Sequence, residues 1–391
     1  MKYVEIFWVF LKLGCTSFGG PVAHLIYFRQ AFVEQHKWLS EQEYSNIIAL
    51  CQALPGPASS QVGFTVGLNK GGLLGALLAF IGFTLPSVFL LLVFANYLSL
   101  FDSSAGLAAL QGLAILAFAV VLHGVLGMGK NLCFDTSRFS IALLTFITML
   151  LAESILTQVA VIVIGGLLGF ILIQASPYDT STNINNSVKS KKGLKLAPSI
   201  SWAAVLLGLF FALPFISDTA NQFYRSGALV FGGGHVVLPL LEEAVVAAGK
   251  VSQADFLAGY GATQAVPGPM FTFATYLGFL QSEDGGLQGA LIATVFVFLP
   301  GFLLVLAIYP FWQKLSANTS LQNAISGANA AVVGLLAAAL YDPIFTHAIG
   351  QPSDMVIAAL AYAGLARFKL PVLWVVFGCI AIKLAMVFVP Y

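Results

Sequence analysis

The sequence predicts an all-α polytopic membrane protein made of two inverted-topology repeats, each interrupted by a broken helix at Pro-Gly-Pro, with about 12–13 transmembrane segments. Three observations carry this reading. Of 391 residues, 59% are hydrophobic and only 8% charged, with a mean hydropathy of +0.92, whereas a soluble domain carries about 25% charged residues. The apolar blocks run for roughly 15–28 residues without the ten-residue alternation of a membrane barrel. Finally, Gln52-Ala53-Leu54-Pro55-Gly56-Pro57 returns as Gln264-Ala265-Val266-Pro267-Gly268-Pro269.

Taken in order, residues 3–18 form a first apolar helix ending in Phe18-Gly19-Gly20-Pro21. It lacks a basic lead and a small-residue cleavage site, so it is expected to stay as a helix. Residues 22–45 read as one amphipathic stretch holding Arg29, Glu34, His36, Lys37, Glu41 and Glu43. The first broken segment has arms at 43–54 and 57–69, each shorter than the ~20 residues that cross a bilayer. Helices follow at 71–100, 105–127, 139–153 and 156–175. Residues 176–199 turn to Asp, Asn, Ser and four lysines, a flexible linker. It divides an N-terminal repeat (1–175) from a C-terminal repeat (200–391). There the predicted elements are 200–216, 218–231, an amphipathic piece to Lys250, the second broken segment 253–280, then 285–312, 322–341, 354–366 and 371–389.

The duplication extends well beyond Pro-Gly-Pro. Lys12 and Gly14 match Arg225 and Gly227, Phe18-Gly19-Gly20 matches Phe231-Gly232-Gly233, and Ser40 matches Ser252. Gly71-Gly72-Leu73 matches Gly285-Gly286-Leu287, and Pro86 matches Pro300, all at offsets of 212–214 residues. Lysine and arginine placement then sets orientation. With the linker in the cytoplasm, Lys70, the Lys130–Arg138 loop, Lys314 and the Arg367–Lys369 loop fall inside. Asp102, Glu283-Asp284 and a loop at 342–353 fall outside. The N-terminus is inside and the repeats are inverted. This count takes each broken segment as one crossing and falls if either folds back.

A Pro-Gly-Pro must break a helix, because Pro lacks a donor and clashes with the preceding turn. In lipid such a break survives only where protein or a water-filled cavity covers the freed groups, and paired breaks point to a transporter's binding site. The arms after Pro57 and Pro269 present helix N-termini, which favour anions. Gly19, Gly20, Gly232, Gly233 and Gly234 permit close backbone approach. Gln52, Gly56, Ser59, Ser60, Gln61, His235, Gln264, Gly268 and Thr272 complete a donor-rich, carboxylate-poor set that suits an oxyanion better than a metal cation. Lys12 and Arg225 are candidates to attract it. Each has a plainer reading: glycines for helix packing, Pro55, Pro57, Pro267 and Pro269 as helix breakers, Gln52 and Gln264 as partners for loose carbonyls, Lys12 and Arg225 as cations snorkelling to the interface. His24 and His235 are either proton carriers or structural histidines. Asn329 lines the cavity or packs; Glu153, His123 and Lys383 stay open between interface and proton path.

Other classes find little support. A net charge of +1 argues against nucleic acid. Cys15, Cys51, Cys133 and Cys379 have no metal-ligand spacing and read as buried single thiols. No metal, cofactor or catalytic set is expected, and no phosphate loop for ATP is present.

Phe18 to Pro21, Gln52 to Pro57, Phe231 to His235, Gln264 to Pro269, Gly327 to Val333 and Tyr341-Asp342-Pro343 together resemble the paired motifs of the chromate transporter family over nearly the whole chain. The resemblance implies a multi-pass inner-membrane exporter that removes chromate from the cytoplasm on an electrochemical gradient and confers chromate resistance. The expected partners are chromate, sulfate as an ion of the same shape and charge, a proton or counter-ion, lipid, and a second copy of the chain as a homodimer. A transporter of sulfate or another anion, a passive anion channel and a chromate-reducing enzyme are the rival readings.

Overall fold

A computed structural model describes the chain apart from residues 1, 19, 102, 153, 174–199, 214–216, 232–235, 282–285, 317 and 389–391. The linker, Gly19, Glu153, the second glycine run and His235 therefore lie outside the described residues. The first repeat contains α1 (Lys2–Thr16), α2 (Gly20–Arg29) with a π-helical continuation (Gln30–Gln35), α3 (Glu41–Ala53), α4 (Ala58–Asn96), α5 (Ser104–Leu132), α6 (Thr136–Leu151) and α7 (Ile155–Leu172). The second contains α8 (Ile200–Ala212), α9 (Asp218–Ala228), α10 (Val237–Val245), α11 (Gln253–Ala265), a 3-10 turn (Met270–Thr272), α12 (Phe273–Gln281) and α13 (Leu287–Ile308). It ends with α14 (Trp312–Leu315), α15 (Thr319–Ala339), α16 (Thr346–Ala348), α17 (Pro352–Ala366) and α18 (Val372–Phe388). Four stretches, Ala58–Asn96, Ser104–Leu132, Leu287–Phe311 and Thr319–Ala348, are long and apolar enough to cross a membrane.

The local signals act as the chemistry requires. Ser40 caps α3 in a reciprocal capping box with Glu43, and its repeat partner Ser252 caps α11 by accepting from the Asp255 amide. Both helices stop at the residue before Pro, where Leu54 and Val266 are extended. Gly72, at φ 66°, splits α4 into limbs 58–71 and 73–96. The limbs are antiparallel, since a Cβ on Gly67 would lie 2.5 Å from the Gly75 carbonyl. Gly286 (φ 75°) makes the same turn between α12 and α13, where Gly278 faces the Gly289 carbonyl. Two boundary expectations change: residues 22–45 split into two helices, and the loop placed at 342–353 is helical to Ala348, kinked at Asp342 before Pro343.

The broken segments return instead of crossing, which corrects the topology read from the sequence. Tyr276 in α12 donates to the Asp255 carbonyl at 3.0 Å, and the rings of Phe256 and Phe273 lie 5.0 Å apart. The second arm therefore runs back alongside the first. In the other repeat Cys51 of α3 meets Thr65 of α4 (3.9 Å). A second pair of antiparallel helix pairs accompanies them: Phe10 of α1 packs on Phe28 of α2 (5.9 Å), and Ser226 of α9 donates to the Leu240 carbonyl of α10. Each repeat thus inserts two helical hairpins from the same end. Because each repeat carries two such returns, an even number of crossings drops out of the count made from the sequence.

The repeats are antiparallel. Tyr309 at the end of α13 donates to Asn69 beside the start of the second limb of α4 (2.9 Å), while Phe94 at the end of that limb packs on Tyr276 (5.6 Å). Each long helix finishes where the other begins. α8, the helix without a counterpart, reaches the opposite end before the second set of hairpins and so produces the inversion. It packs on α13 through Leu206 against Leu303 and Ala307. The remaining helices are exchanged: α5 packs with α17 and α18, α15 with α6 and α7. Close approach there rests on glycine, with Gly112 against the Ile380 backbone and Gly327 against Gly165 and Gly169.

Candidate functional site

Four hairpin tips meet where the long limbs are half way across. The first limb ends of α1 and α9 are pinned by matching glycines. A Cβ on Gly14 would sit 2.6 Å from the Phe83 carbonyl, and one on Gly227 2.0 Å from that of Val297, the equivalent residue. The tips then bond across the repeats. The Gly56 amide donates to the Val230 carbonyl (2.7 Å), and the Gly268 amide donates to the Ser17 carbonyl (2.9 Å). Both glycines lie in the left-handed region, at φ 124° and 107°. A Cβ on Gly56 would meet the Gly301 Cα at 3.0 Å, and one on Gly268 the Ser87 Oγ at 2.9 Å. The sequence needs glycine at both places for conformation and for space.

Helix ends give the junction its polarity. First arms arrive with carbonyls, second arms leave with amides. Four carbonyls at the tips have partners: Ser17 and Val230 the glycine amides, Pro55 the Gln61 Nε2 (2.9 Å), and Pro269 the Thr272 hydroxyl (2.7 Å). In α4 the backbone ladder starts with the Gln61 amide on the Pro57 carbonyl, so the amides of residues 58–60 have no intrahelical acceptor. These amides form a donor surface, which accommodates negative charge.

One histidine organises the first tip. His24 is fully buried, with Nε2 3.2 Å from the Ser17 carbonyl and Nδ1 3.4 Å from Ser59 Oγ, and its ring stands edge-on to Phe83 at 5.3 Å. A carbonyl can only accept, so Nε2 carries the hydrogen and Nδ1 accepts from the Ser59 hydroxyl. Gln61 also donates to Gly301 (3.2 Å), tying the tip to the opposite repeat.

The structure brings together part of the predicted set. Gly20 (φ 78°, facing Met270), Gly56, Ser59, Ser60 and Gly268 lie at the tips with Pro55, Pro57, Pro267 and Pro269. Thr272 is buried but its hydroxyl is engaged by Pro269. Gln52 is exposed, and Gln264 is half-buried with an unpartnered Nε2. Lys12 and Arg225 are exposed on α1 and α9, away from the tips. Gly19, Gly232, Gly233, Gly234 and His235 fall outside the described residues. Cys51 and Cys379 are buried as expected, whereas Cys15 is exposed and Cys133 half-buried. Sequence reasoning missed Ser17, Thr84 and Ser87; the last two flank Pro86, which had served only as a repeat marker.

Two further polar features lie at the end where α9 and α11 begin. A cavity of about 310 Å³ is lined by Glu242, Glu243, Gln253, Asp342 and His347. Gln158 donates to Glu243 beside it, and Thr346 donates to Asp342 (2.9 Å). Separately, Lys383 and Asp354 form a buried ion pair at 2.9 Å. Asp354 also accepts from Gln111 and from the amides of Gly350 and Gln351.

Comparison with known proteins agrees with this architecture. The chromate transporter family model matches residues 4–170 and 217–384, one stretch in each repeat. The chain is 29% identical over 376 residues to the chromate transport protein of Pseudomonas aeruginosa, covering 94% of this chain and 87% of that protein. It is 27% identical over 372 residues to the chromate transport protein of Cupriavidus metallidurans (92% and 87%). An uncharacterized transporter of Methanocaldococcus jannaschii is 28% identical over 343 residues (86% and 83%). No solved structure matches the chain. Members of the matched family are transporters, not enzymes. With its paired hairpins and its duplicated match, this multi-pass membrane protein belongs to the chromate transporter family.

Proposed function

We propose that the chain exports chromate from the cytoplasm by alternating access, with the oxyanion held at the junction of the four tips. The observation that carries this reading is the first turn of α4 at the junction, whose amides at residues 58–60 precede the first bond of the helix ladder, Gln61 to Pro57. Gly19, Gly20, Gly56, Ser59, Ser60, Gly232, Gly233, Gly234, His235, Gly268 and Thr272 are the proposed lining. Gln52 and Gln264 stand on the approach, and Lys12 and Arg225 attract the dianion from further out. The family relatives that carry chromate in their names support the ion.

Orientation follows from charge. Lys37, Lys70 and Arg138 gather at the end where α1 begins, against Lys250 and Lys383 at the other. Excess lysine and arginine marks the cytoplasmic face, which supports an N-terminus on the cytoplasmic side of the inner membrane. The crossed hydrogen bonds tie the tips of both repeats into one body, so neither repeat moves alone. The body that moves is the tip assembly, sliding against the bundle of α5–α7, α15, α17 and α18. Gly261 against the Leu113 carbonyl is one close contact between them. The acidic cavity at Glu242, Glu243, Asp342 and His347 supplies titratable groups for a coupling proton or counter-ion.

The test is uptake of labelled chromate into inverted membrane vesicles, with sulfate as competitor and a protonophore as control. Uptake that the protonophore abolishes and sulfate barely inhibits supports the proposal. Accumulation of sulfate in preference to chromate would reassign the substrate, and equilibration without accumulation would make the chain a channel.

A further inference from the structure

An inverted repeat of this kind would, if its halves were chemically alike, offer two equivalent ligand sites, one at each Pro-Gly-Pro tip. The halves are not alike. In the first repeat the buried residues around the tip are Ser17, His24, Ser59, Ser60 and Thr84, each at most 4% exposed. At the corresponding places in the second repeat the chain has Val230, Val237, Phe271, Thr272 and Phe298, all equally buried. The one hydroxyl among those, on Thr272, is already bonded to the Pro269 carbonyl.

The first-repeat hydroxyls are not so satisfied. Ser17 Oγ, Ser60 Oγ and Thr84 Oγ1 are buried without a hydrogen-bond partner among the described residues. A buried polar atom left unpaired is costly, and a native protein keeps it for a reason. All three lie on segments that converge on His24: the Ser17 carbonyl and the Ser59 hydroxyl bond to it, Ser60 follows Ser59 in the first turn of α4, and Thr84 follows Phe83, whose ring packs on it. Free hydroxyls beside a helix N-terminus are the groups that coordinate an oxyanion by donation alone, with no buried cation to desolvate.

We infer that each chain holds a single oxyanion site, at the first-repeat tip among Ser17, His24, Ser59, Ser60 and Thr84, and that the mirror position in the second repeat is closed by Val237, Phe271 and Phe298. The inference rests on the oxyanion reading above and narrows it. The ligand is a tetrahedral dianion of the chromate and sulfate class. The second repeat contributes the Gly268 amide, which holds the Ser17 carbonyl, and apolar packing.

Equilibrium dialysis of the purified full chain with labelled chromate tests this. The expected result is one ion bound per chain. Ser17→Ala and Thr84→Val should each weaken binding by about tenfold, the loss of one hydrogen bond to a charged ligand, while Thr84→Ser retains it. Removing an unpaired hydroxyl should leave the unfolding temperature unchanged or raised, which a merely structural serine or threonine would not do. Two ions per chain, or variants that bind within twofold of the wild type, would overturn the site and leave the transport reading standing. Failure of the wild type to bind chromate, sulfate or molybdate at all would overturn both.

Discussion

The amide of Gly56 donates to the carbonyl of Val230 at 2.7 Å, and this short bond joins the break of one repeat to the glycine run of the other. Its mirror, Gly268 to Ser17 at 2.9 Å, closes the exchange. A helix interrupted inside a membrane must place its freed backbone groups somewhere. Here each repeat supplies the partners that the other lacks, so neither tip is complete without the opposite half.

Gly56→Ala and Gly268→Ala should be destabilising to a similar degree. Each adds a methyl within 3.0 Å of a neighbouring atom and forces an L-residue into a left-handed conformation, a cost of about 1–2 kcal/mol before any clash. Transport should fall at least tenfold in both. Gly72→Ala is the control, since its φ is also positive (66°) but nothing lies within 4 Å of the added methyl. It should lose only the conformational part. Thermal unfolding in detergent, read beside vesicle uptake, separates the two contributions.

The return of the broken segments is testable by labelling. On a cysteine-free background, Ser252→Cys and Gln288→Cys flank the second hairpin, and both should react with a membrane-impermeant maleimide from the same side. Glu41→Cys and Lys70→Cys flank the first hairpin and should react together from the opposite side. A pair split between the two sides would mean that its segment crosses.

Asp354 and Lys383 form a buried pair whose members should not be removable singly. Asp354→Asn or Lys383→Met each strands a charge, at a cost of about 3–5 kcal/mol. The double variant should cost clearly less than the sum of the two. A double-mutant cycle on unfolding temperature measures the coupling, and additive losses would show that the pair contributes nothing as a pair.

Gly261 and Leu113 bring the tip body against the outer bundle, with a Gly261 Cβ only 2.7 Å from that of Leu113. Cysteines at both positions can bridge once the two helices part by about 1 Å, which the 2.3 Å approach of that Cβ to the Leu113 carbonyl also demands, because a disulfide needs Cβ atoms roughly 3.5–4.5 Å apart. Oxidation should arrest transport and reduction should restore it. Full activity of the crosslinked protein would mean that these two bodies do not move past each other.

Fold class, duplication and helix breaks were legible in the sequence because they depend on local chemistry: apolar runs, fixed spacing and proline. Whether an arm of 12–14 residues continues or turns back was not legible. A half-length apolar helix has the same composition either way, and only contacts such as Tyr276 with Asp255 decide. The proposed site was half legible. Gly56 and Gly268 sit in a repeated motif and Ser59 follows the first copy by two residues, whereas Ser17 and Thr84 are isolated hydroxyls in apolar helices and carry no periodic signal. Lys383 drew notice as a cation in a membrane helix, yet its partner Asp354 resembled an ordinary cap residue at the start of α17.

Reconstituted vesicles give the most direct measurement. With purified chain, labelled chromate on one side and an imposed proton gradient, chromate should accumulate above its external concentration. Collapse of the gradient should release it, and folded Thr84→Val should fail to accumulate it. Chromate that only equilibrates would contradict gradient-driven transport, and equal accumulation in Thr84→Val would contradict the placing of the ion at the first-repeat tip.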